Sequence, residues 1–187
     1  MPVTIRILGP DDGAVLQNIA EDVFDNPVDA RWSAEFLGDP RHHLAVALDD
    51  ESGQVVGMAT GVHYVHPDKP PELWVNEVGV ASAYQGRGVG RRMLAALLAH
   101  AWALGCREAW VLTSYDNVAA RHMYAAAGGV EEGEASLMIT FALADGDGWR
   151  DPQDDDEFAY FERIRRESKP PPPIEDQLAW LDEEDTK

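Results

Sequence analysis

The chain has 187 residues and a formal net charge of -19, a length that fits one domain with a substantial core. Its hydrophobic fraction of 45% is ordinary for a globular protein, and no apolar run approaches the roughly 20 residues that cross a bilayer. The acidic balance argues against nucleic acids and anionic membranes as partners and favours cationic ligands, although solubility alone would also explain it. The N-terminal residues MPVTIRILGPDDG lack the features of a secretory signal, so we expect a cytoplasmic protein.

The first half of the chain alternates between strand and helix patterns. Residues 3–8, VTIRIL, predict a strand, and residues 9–24 then predict a helix capped by Asp11 or Asp12. That helix would bury the apolar residues at helical spacing, which are Val15, Leu16, Ile19, Val23 and Phe24. A short helix over DARWSAEFLGDP follows, and HHLAVAL and QVVGMATGVHYV flank the polar turn DDESG as a hairpin.

The second half continues the alternation. Residues 72–80, ELWVNEVGV, predict a strand that runs into a glycine-rich loop and an apolar helix stopped by Gly105. A strand over 107–114, a helix over 117–129 and a last strand over 135–143 complete the pattern. The fold class is therefore mixed α and β.

Composition changes near Ala144, so we expect a domain over 1–144 and an acidic, proline-containing extension over 145–187. Four consecutive prolines favour an extended segment there. The extension also carries apolar residues that a fully solvated tail would not need, which are Phe158, Tyr160, Phe161, Ile164, Ile174, Leu178, Trp180 and Leu181. We expect these residues to dock on the same domain or on a second subunit.

The loop YQGRGVGRR, residues 84–92, is the most informative stretch. A strand that leads through glycines into a long helix directs backbone N–H groups and the positive end of the helix dipole at one point. Glycines allow close backbone approach, and Arg87, Arg91 and Arg92 add positive charge. The loop therefore predicts a phosphate or pyrophosphate site. It fails the dinucleotide pattern G-x-G-x-x-G, and no G-K-[ST] follows, so it is not a nucleotide-triphosphate loop either.

These residues resemble the GNAT superfamily of N-acetyltransferases. YQGRGVGRRML is similar to its Q/R-x-x-G-x-G/A signature, and the order of strands and helices over about residues 3–143 is similar as well. The resemblance implies a central, mostly antiparallel twisted sheet of mixed direction, flanked by helices. It also implies acetyl-CoA as co-substrate and no metal. By this resemblance the cofactor-binding residues are Val78, Gly79, Val80, Gln85, Gly86, Arg87, Gly88, Val89, Gly90, Arg91, Asn117 and Tyr124.

Two residues are candidates for the chemistry of acetyl transfer. An ammonium has no lone pair, so a base must take its proton before attack on the thioester. Glu77 is the candidate base, because partial burial among Val75, Val78 and Val80 would raise its pKa; a merely solvent-facing or ammonium-anchoring carboxylate is the alternative. The resemblance implies that Tyr124 protonates the leaving thiolate, and that backbone N–H groups around 78–80 stabilise the oxyanion. A packing role for Tyr124 is the alternative.

Shorter stretches resemble the aminoglycoside 3-N-acetyltransferases of the small GNAT type, although the long tail departs from them. They are ILGPDD, VF, the acid in VNEV, and AWALG. The predicted acceptor is a polycationic small-molecule amine, an aminoglycoside first, bound by Asp25, Asp29, Glu77, Tyr115 and Asp116. Further acids expected to border the acceptor are Glu35, Glu131, Glu132 and Glu134. A protein or peptide amine, a polyamine, and a non-catalytic acetyl-CoA-binding protein remain alternatives, and we expect a homodimer.

The histidines and the single cysteine are predicted to be structural. His42, His43, His63 and His66 lack carboxylates or cysteines at ligand spacing, so we predict no metal site. Cys106 stands between a helix and a strand pattern, which favours a buried thiol over a nucleophile.

Overall fold

The computed structural model describes residues 2–131. In this part of the chain the elements are β1 (Val3–Leu8), a 3-10 helix (Pro10–Gln17), α1 (Ala30–Gly38), β2 (His42–Asp49) and β3 (Val55–Tyr64). They continue with β4 (Glu72–Val80), a short 3-10 helix (Ser82–Tyr84), α2 (Val89–Ala103), β5 (Glu108–Val111) and α3 (Val118–Ala126). The last predicted strand, over 135–143, and the extension over 145–187 lie outside the described residues. No helix among residues 2–131 has the length and apolar character needed to cross a membrane.

The five described strands form one sheet in the order β1-β2-β3-β4-β5. The first four pair antiparallel, and β5 pairs parallel with β4. The predicted hairpin is confirmed as β2 and β3, whose turn is closed by the Asp49 carboxylate accepting from the N–H of Ser52 at 2.9 Å. The mixed α and β class and the mostly antiparallel sheet are as predicted.

Helices cover both faces of this sheet. On β2, the ring of His42 stacks on Phe36 of α1, whereas the ring of the next residue, His43, meets His100 of α2 edge to face. Adjacent strand residues point to opposite faces, so α1 and α2 lie on opposite sides. We refer to these as the α1 face and the α2 face. The core between α2 and the sheet includes the buried side chains of Leu73, Met93 and Leu97.

The predicted helix over 9–24 is wrong in type and length. The chain forms a 3-10 helix that ends at Gln17, and its N-cap is Gly9 instead of an aspartate. Asp12, the third residue of this helix, contributes to the cap, because its carboxylate accepts from the Gly9 N–H at 2.9 Å. After Gln17 the backbone pairs with the start of β3, since Ala20 donates to the carbonyl of Val55. These hydrogen bonds to β3 replace those of the predicted helix, so the apolar residues after Gln17 lie in an irregular segment.

Three histidines form a chain beneath α2. Nε2 of His43 lies 2.7 Å from Nδ1 of His63, and Nδ1 of His43 lies 3.1 Å from Nε2 of His100. Burial of His43, followed by the neighbouring charges of His100 and His63, lowers its pKa to about 4; His42 lowers it further and Asp39 opposes the shift. Within residues 2–131 no group of histidine, cysteine and acidic side chains is arranged to hold a metal ion.

The His43 environment predicts that acid destabilises the fold. Between pH 6.5, the ordinary pKa of histidine, and about pH 4, residue 43 binds a proton in the unfolded chain but not in the folded one. The contribution of His43 to the free energy of unfolding is therefore complete above pH 6.5. It decreases as the pH falls, by about 2 kcal/mol between pH 7 and pH 5. We expect His43→Leu to lose this difference in denaturant unfolding, whereas His122→Gln, at an exposed position, keeps it. An unchanged difference in His43→Leu would contradict the assignment.

Candidate active site

A bulge in β4 decides where Glu77 points. Thr60 of β3 pairs with Glu77, but the next β3 residue, Gly61, pairs with Val75, so Asn76 is an extra residue in β4. Without this bulge Glu77 would share the buried α2 face with Val75. The extra residue turns Glu77 to the α1 face, opposite Thr60. The predicted surroundings of Glu77 are therefore corrected, because its valine neighbours in the strand do not enclose it.

Glu77 lies in the wall of a cavity of about 370 Å³ on the α1 face. The wall contains the three carboxylates of Asp25, Asp29 and Glu77. Its other lining residues are three aromatic residues (Phe24, Trp32, Phe36), four aliphatic ones (Leu16, Pro27, Val28, Leu44) and three neutral polar ones (Asn26, Ser33, Thr60). Lysine, arginine and histidine are absent from the lining formed by the described residues. Its size is in the range of small-molecule sites, and its charge suits a cation.

Desolvation by the wall raises the pKa of Glu77, although the residue is exposed to solvent and not buried as the sequence predicted, and the negative charge of Asp25 raises it further. The direction is the one expected for a carboxylate that accepts a proton during catalysis. Asp29 has a different local role, because its carboxylate caps α1 by accepting from the N–H groups of Arg31 at 2.8 Å and Trp32 at 3.0 Å. Asp25 and Glu77 are thus the two lining carboxylates whose charges interact.

Beyond the bulge, no strand among residues 2–131 pairs with the edge of β4 that faces away from β3. The parallel pairing with β5 ends at Val75 and Val111, before the last five residues of β4. The N–H of Ala81 donates to Val56 of β3, and alternate residues share a direction, so the N–H groups of Val78 and Val80 point away from β3. The carbonyl of Val80 points the same way and accepts from Nε2 of Gln85 at 2.9 Å. These N–H groups are available to a ligand between β4 and β5.

The glycine loop leads from this edge into α2. Gly86 and Gly88 have φ angles of 70° and 73°, and a Cβ at either position would meet nothing within 4 Å. Gly88 is the N-cap of α2, so the first N–H groups of the helix face the open loop. Such a cradle of N–H groups fits a pyrophosphate. Arg87 and Arg91 are exposed at this end, whereas the guanidinium of Arg92 donates to the carbonyl of Val3 at 2.6 Å.

Helix α3 packs beside the start of α2. A Cβ at Gly90 would lie 2.7 Å from the sulfur of Met123, so the absence of a side chain permits this contact. Tyr124 follows Met123, is partly buried against the core, and has its pKa raised by burial. A tyrosine that keeps its proton can donate it. Asn117 caps α3, since its side-chain oxygen accepts from the N–H of Ala120 at 3.1 Å.

The remaining predicted site residues separate into two groups. Val89 and Gly90 are buried at the start of α2, so only their backbone groups can serve a ligand, and Gly79 is held against the carbonyl of Val23. Tyr115 and Asp116 lie between β5 and α3 and do not line the cavity. Tyr115 is 73% exposed and its ring is 5.2 Å from the guanidinium carbon of Arg121.

Other predicted acids are engaged elsewhere or lie outside the description. Glu35 is exposed on α1 away from the lining, and Glu131 forms a two-point pair with Arg121 at 2.8 and 3.0 Å. Glu132 and Glu134 are outside the described residues. Cys106 is buried and its pKa is raised by that burial, as predicted for a structural thiol.

The sequence did not identify the aromatic side of the cavity. Phe24, Trp32 and Phe36 are contributed by the segment before α1 and by α1 itself. The available signal was the spacing of Trp32 and Phe36, which are one turn apart and share a helix face. Trp32 is 60% exposed.

The described residues thus combine a bulged strand, a glycine loop at the start of a helix, and flanking helices. The chain belongs to the acetyltransferase (GNAT) family, whose model matches residues 14–128. The family predicted from the sequence is confirmed.

Curated relatives show which members of the family are similar. The chain is 38% identical over 106 residues to L-2,4-diaminobutyric acid acetyltransferase of Streptomyces avermitilis, covering 53% of this chain and 55% of that protein. It is 35% identical over 99 residues to the N-alpha-acetyltransferase RimI of Mycobacterium tuberculosis, covering 52% and 61%. The chain thus spans little more than half the length of the curated relatives it matches.

Solved structures show the same fold at lower identity. AAC(6')-Iy in complex with a bisubstrate analog aligns with a TM-score of 0.62 and 20% identity, covering 76% of this chain and 100% of that one. The aminoglycoside acetyltransferase meta-AAC0020 from an uncultured soil metagenomic sample, in complex with sisomicin, aligns with a TM-score of 0.61 and 18% identity, covering 75% and 97%.

Proposed function

We propose that this chain is an acetyl-CoA-dependent N-acetyltransferase whose acceptor is a small polycationic amine, with an aminoglycoside as the first candidate. The observation that carries the proposal is the position of Glu77, which lines a carboxylate-rich cavity and also lies in the part of β4 beyond its pairing with β5. An amine in the cavity and a thioester along the edge would meet at this residue.

In the proposed reaction Glu77 takes a proton from the acceptor ammonium, and the freed lone pair attacks the acetyl carbonyl carbon. The N–H groups of Val78 and Val80 stabilise the negative charge on the carbonyl oxygen. As the carbon–sulfur bond breaks, Tyr124 donates its phenolic proton to the departing thiolate. The N–H groups at the start of α2, with Arg87 and Arg91, hold the pyrophosphate. The attacking nitrogen then loses its second proton to solvent, and exchange with solvent returns Glu77 and Tyr124 to their starting protonation states, so the net products are the amide, the thiol and one proton.

The charge of the cavity supports a cationic acceptor. It contains Asp25, Asp29 and Glu77, with no basic residue among the lining residues of the described chain. Several ammonium groups would therefore be attracted, and the apolar walls would strengthen that attraction. The sequence resemblance favours the 3-amino group of an aminoglycoside as the position of transfer.

L-2,4-Diaminobutyrate is a second candidate, since two relatives of at least 30% identity carry that name. Its carboxylate would need a cation. The guanidinium carbon of Arg31 lies 4.8 Å from the ring centroid of Trp32, just outside the lining. Arg31→Ala therefore separates the two candidates: acetylation of diaminobutyrate would fall if Arg31 holds its carboxylate, whereas acetylation of an aminoglycoside would not.

We expect aminoglycosides to be preferred over diaminobutyrate, a polyamine and a peptide amino terminus in a thiol-release assay. Added salt should raise the KM for an aminoglycoside with little change in kcat, because the attraction is screened over about 8 Å at physiological ionic strength. Asp25→Asn should raise that KM about fivefold. Glu35→Gln, an acid on α1 outside the cavity, is the matched control and should leave it unchanged.

The site of transfer is read by NMR of the acetylated product. A wide preference for the peptide amine, or a KM that does not respond to salt, would contradict the polycationic acceptor while leaving the acetyl-CoA site in place. The homodimer stays a prediction, and light scattering of the purified full chain measures it directly.

A further inference from the structure

The glycine loop is joined to the β2–β3 turn by a buried hydrogen bond. The hydroxyl of Tyr84, the residue directly before the loop, donates to Oδ2 of Asp49 at 2.9 Å. Both residues are buried, Asp49 at 3% and Tyr84 at 8% exposure. Such a bond between a phenol and a carboxylate is among the stronger kinds found in proteins.

Asp49 is itself fixed by the turn. Its other oxygen, Oδ1, accepts from the N–H of Ser52 at 2.9 Å, from the Ser52 hydroxyl at 2.8 Å and from the N–H of Glu51 at 3.2 Å. These bonds orient the carboxylate, so Oδ2 is presented to Tyr84 in one position. The pKa of Asp49 is lowered to about 2, mainly by the Ser52 bonds. The carboxylate therefore stays ionised at neutral pH.

Tyr84 connects the fixed Asp49 carboxylate to the start of the glycine loop. It ends the short 3-10 helix Ser82–Tyr84, which is bound at its other end by the N–H of Ser82 donating to Asp22 at 2.7 Å. The guanidinium carbon of Arg87, within the loop, lies 5.5 Å from the centroid of the Tyr84 ring. The loop residues Gly86 and Gly88 have no side chains to hold them, so their positions depend on such anchors at the loop ends.

We propose that Asp49 and Tyr84 are positioning residues for acetyl-CoA, which keep the N–H groups of the glycine loop directed at the pyrophosphate. This inference rests on the proposed placement of the pyrophosphate at residues 85–91. A loop without this anchor would have to be ordered by the ligand, and the cost of ordering would appear as weaker binding. Once acetyl-CoA is bound the reacting atoms are the same, so turnover at saturation is retained.

The test is Tyr84→Phe, which keeps the ring and its contact with Arg87 and removes the hydroxyl. We expect the Kd for acetyl-CoA by calorimetry and its KM to rise about three- to tenfold, with kcat and the acceptor KM unchanged. Measurements are made on the full chain well below the melting temperature of each variant. Asp49→Asn, which keeps the shape of the side chain, should shift the same constants.

Two controls distinguish positioning from general stability. The hydroxyl of Tyr64 donates to buried Glu72 at 2.9 Å and accepts from Nε1 of Trp110 at 2.7 Å, so Tyr64→Phe removes a phenol–carboxylate bond, together with the Trp110 bond, away from the loop. Ser52→Ala removes the hydroxyl bond to Oδ1 of Asp49, but the N–H groups of Glu51 and residue 52 still orient the carboxylate and the bond from Tyr84 remains. Both should lower the melting temperature and leave the acetyl-CoA Kd unchanged.

The double variant Tyr84→Phe with Asp49→Asn should bind acetyl-CoA no more weakly than the worse single variant, because both changes remove the same phenol-to-carboxylate bond. An acetyl-CoA Kd within twofold of the parent in Tyr84→Phe, or an equal rise in Tyr64→Phe or Ser52→Ala, would overturn the proposal. If Tyr84→Phe does not fold, Asp49→Asn decides by the same criterion. Failure of the pyrophosphate placement itself is recognised separately, by unchanged binding in Gly88→Glu.

Discussion

Replacing Glu77 by glutamine should lower kcat by about 100- to 10,000-fold, the usual loss when a general base is removed. Glutamine fills the same place in the cavity wall and cannot accept the proton of an ammonium. Acetyl-CoA affinity should be nearly unchanged, because the contacts assigned to acetyl-CoA are made by backbone groups and by the loop. Steady-state kinetics together with calorimetry measures both quantities. A variant within about twofold of the parent would exclude Glu77 as the base.

The pH profile gives an independent check on the same residue. Glu77 acts as a base only when ionised, so activity should fall as the pH decreases through its pKa. Desolvation and the charge of Asp25 raise that pKa, which places the acidic limb at a higher pH than an ordinary glutamate would give. Asp25→Asn removes one cause and should move the limb to lower pH. A limb that does not move would show that Asp25 has no influence on the base.

Substitution of Gly88 by glutamate should weaken acetyl-CoA binding by about 100-fold or more. The φ angle of Gly88 is 73°, a conformation that residues with a Cβ rarely adopt. The new carboxylate would also place negative charge beside the pyrophosphate. Calorimetric titration with acetyl-CoA measures the loss directly.

Gly105→Glu is the matched control for Gly88→Glu. Gly105 has a φ of 95°, a Cβ there would meet nothing within 4 Å, and the residue follows the opposite end of α2. The two variants therefore share the added charge and a strained backbone, and only one is near the assigned site. Equal losses of affinity in both would show that the effect comes from destabilised folding.

Local patterns predicted most of the described fold. The nearly continuous apolar runs of β2 and β3, the polar turn between them and the long apolar run of α2 each carry their own signal. The segment after β1 was mispredicted because its backbone hydrogen bonds are made with Val55, which is distant in sequence. Strand β5 is shorter than the pattern over 107–114, since its pairing with β4 ends at Val111.

The site was predictable where chemistry is tied to backbone geometry and hidden where it depends on packing. Glycines beside arginines indicate an anion loop because few other functions need both. The direction of Glu77 depends on one extra residue in β4, and apolar alternation does not reveal such a bulge. Trp32 comes to the cavity through the packing of α1, and Tyr84 meets Asp49 across 35 positions of sequence.

The most direct test of the proposed function is mass spectrometry of the acceptor after incubation of the purified full chain with acetyl-CoA and an aminoglycoside. We predict that the aminoglycoside gains one acetyl group for each thiol released, and that Glu77→Gln loses both signals together while still binding acetyl-CoA. Binding of acetyl-CoA by the parent, without acetylation of any aminoglycoside, diaminobutyrate, polyamine or peptide amine, would contradict the assigned catalytic activity.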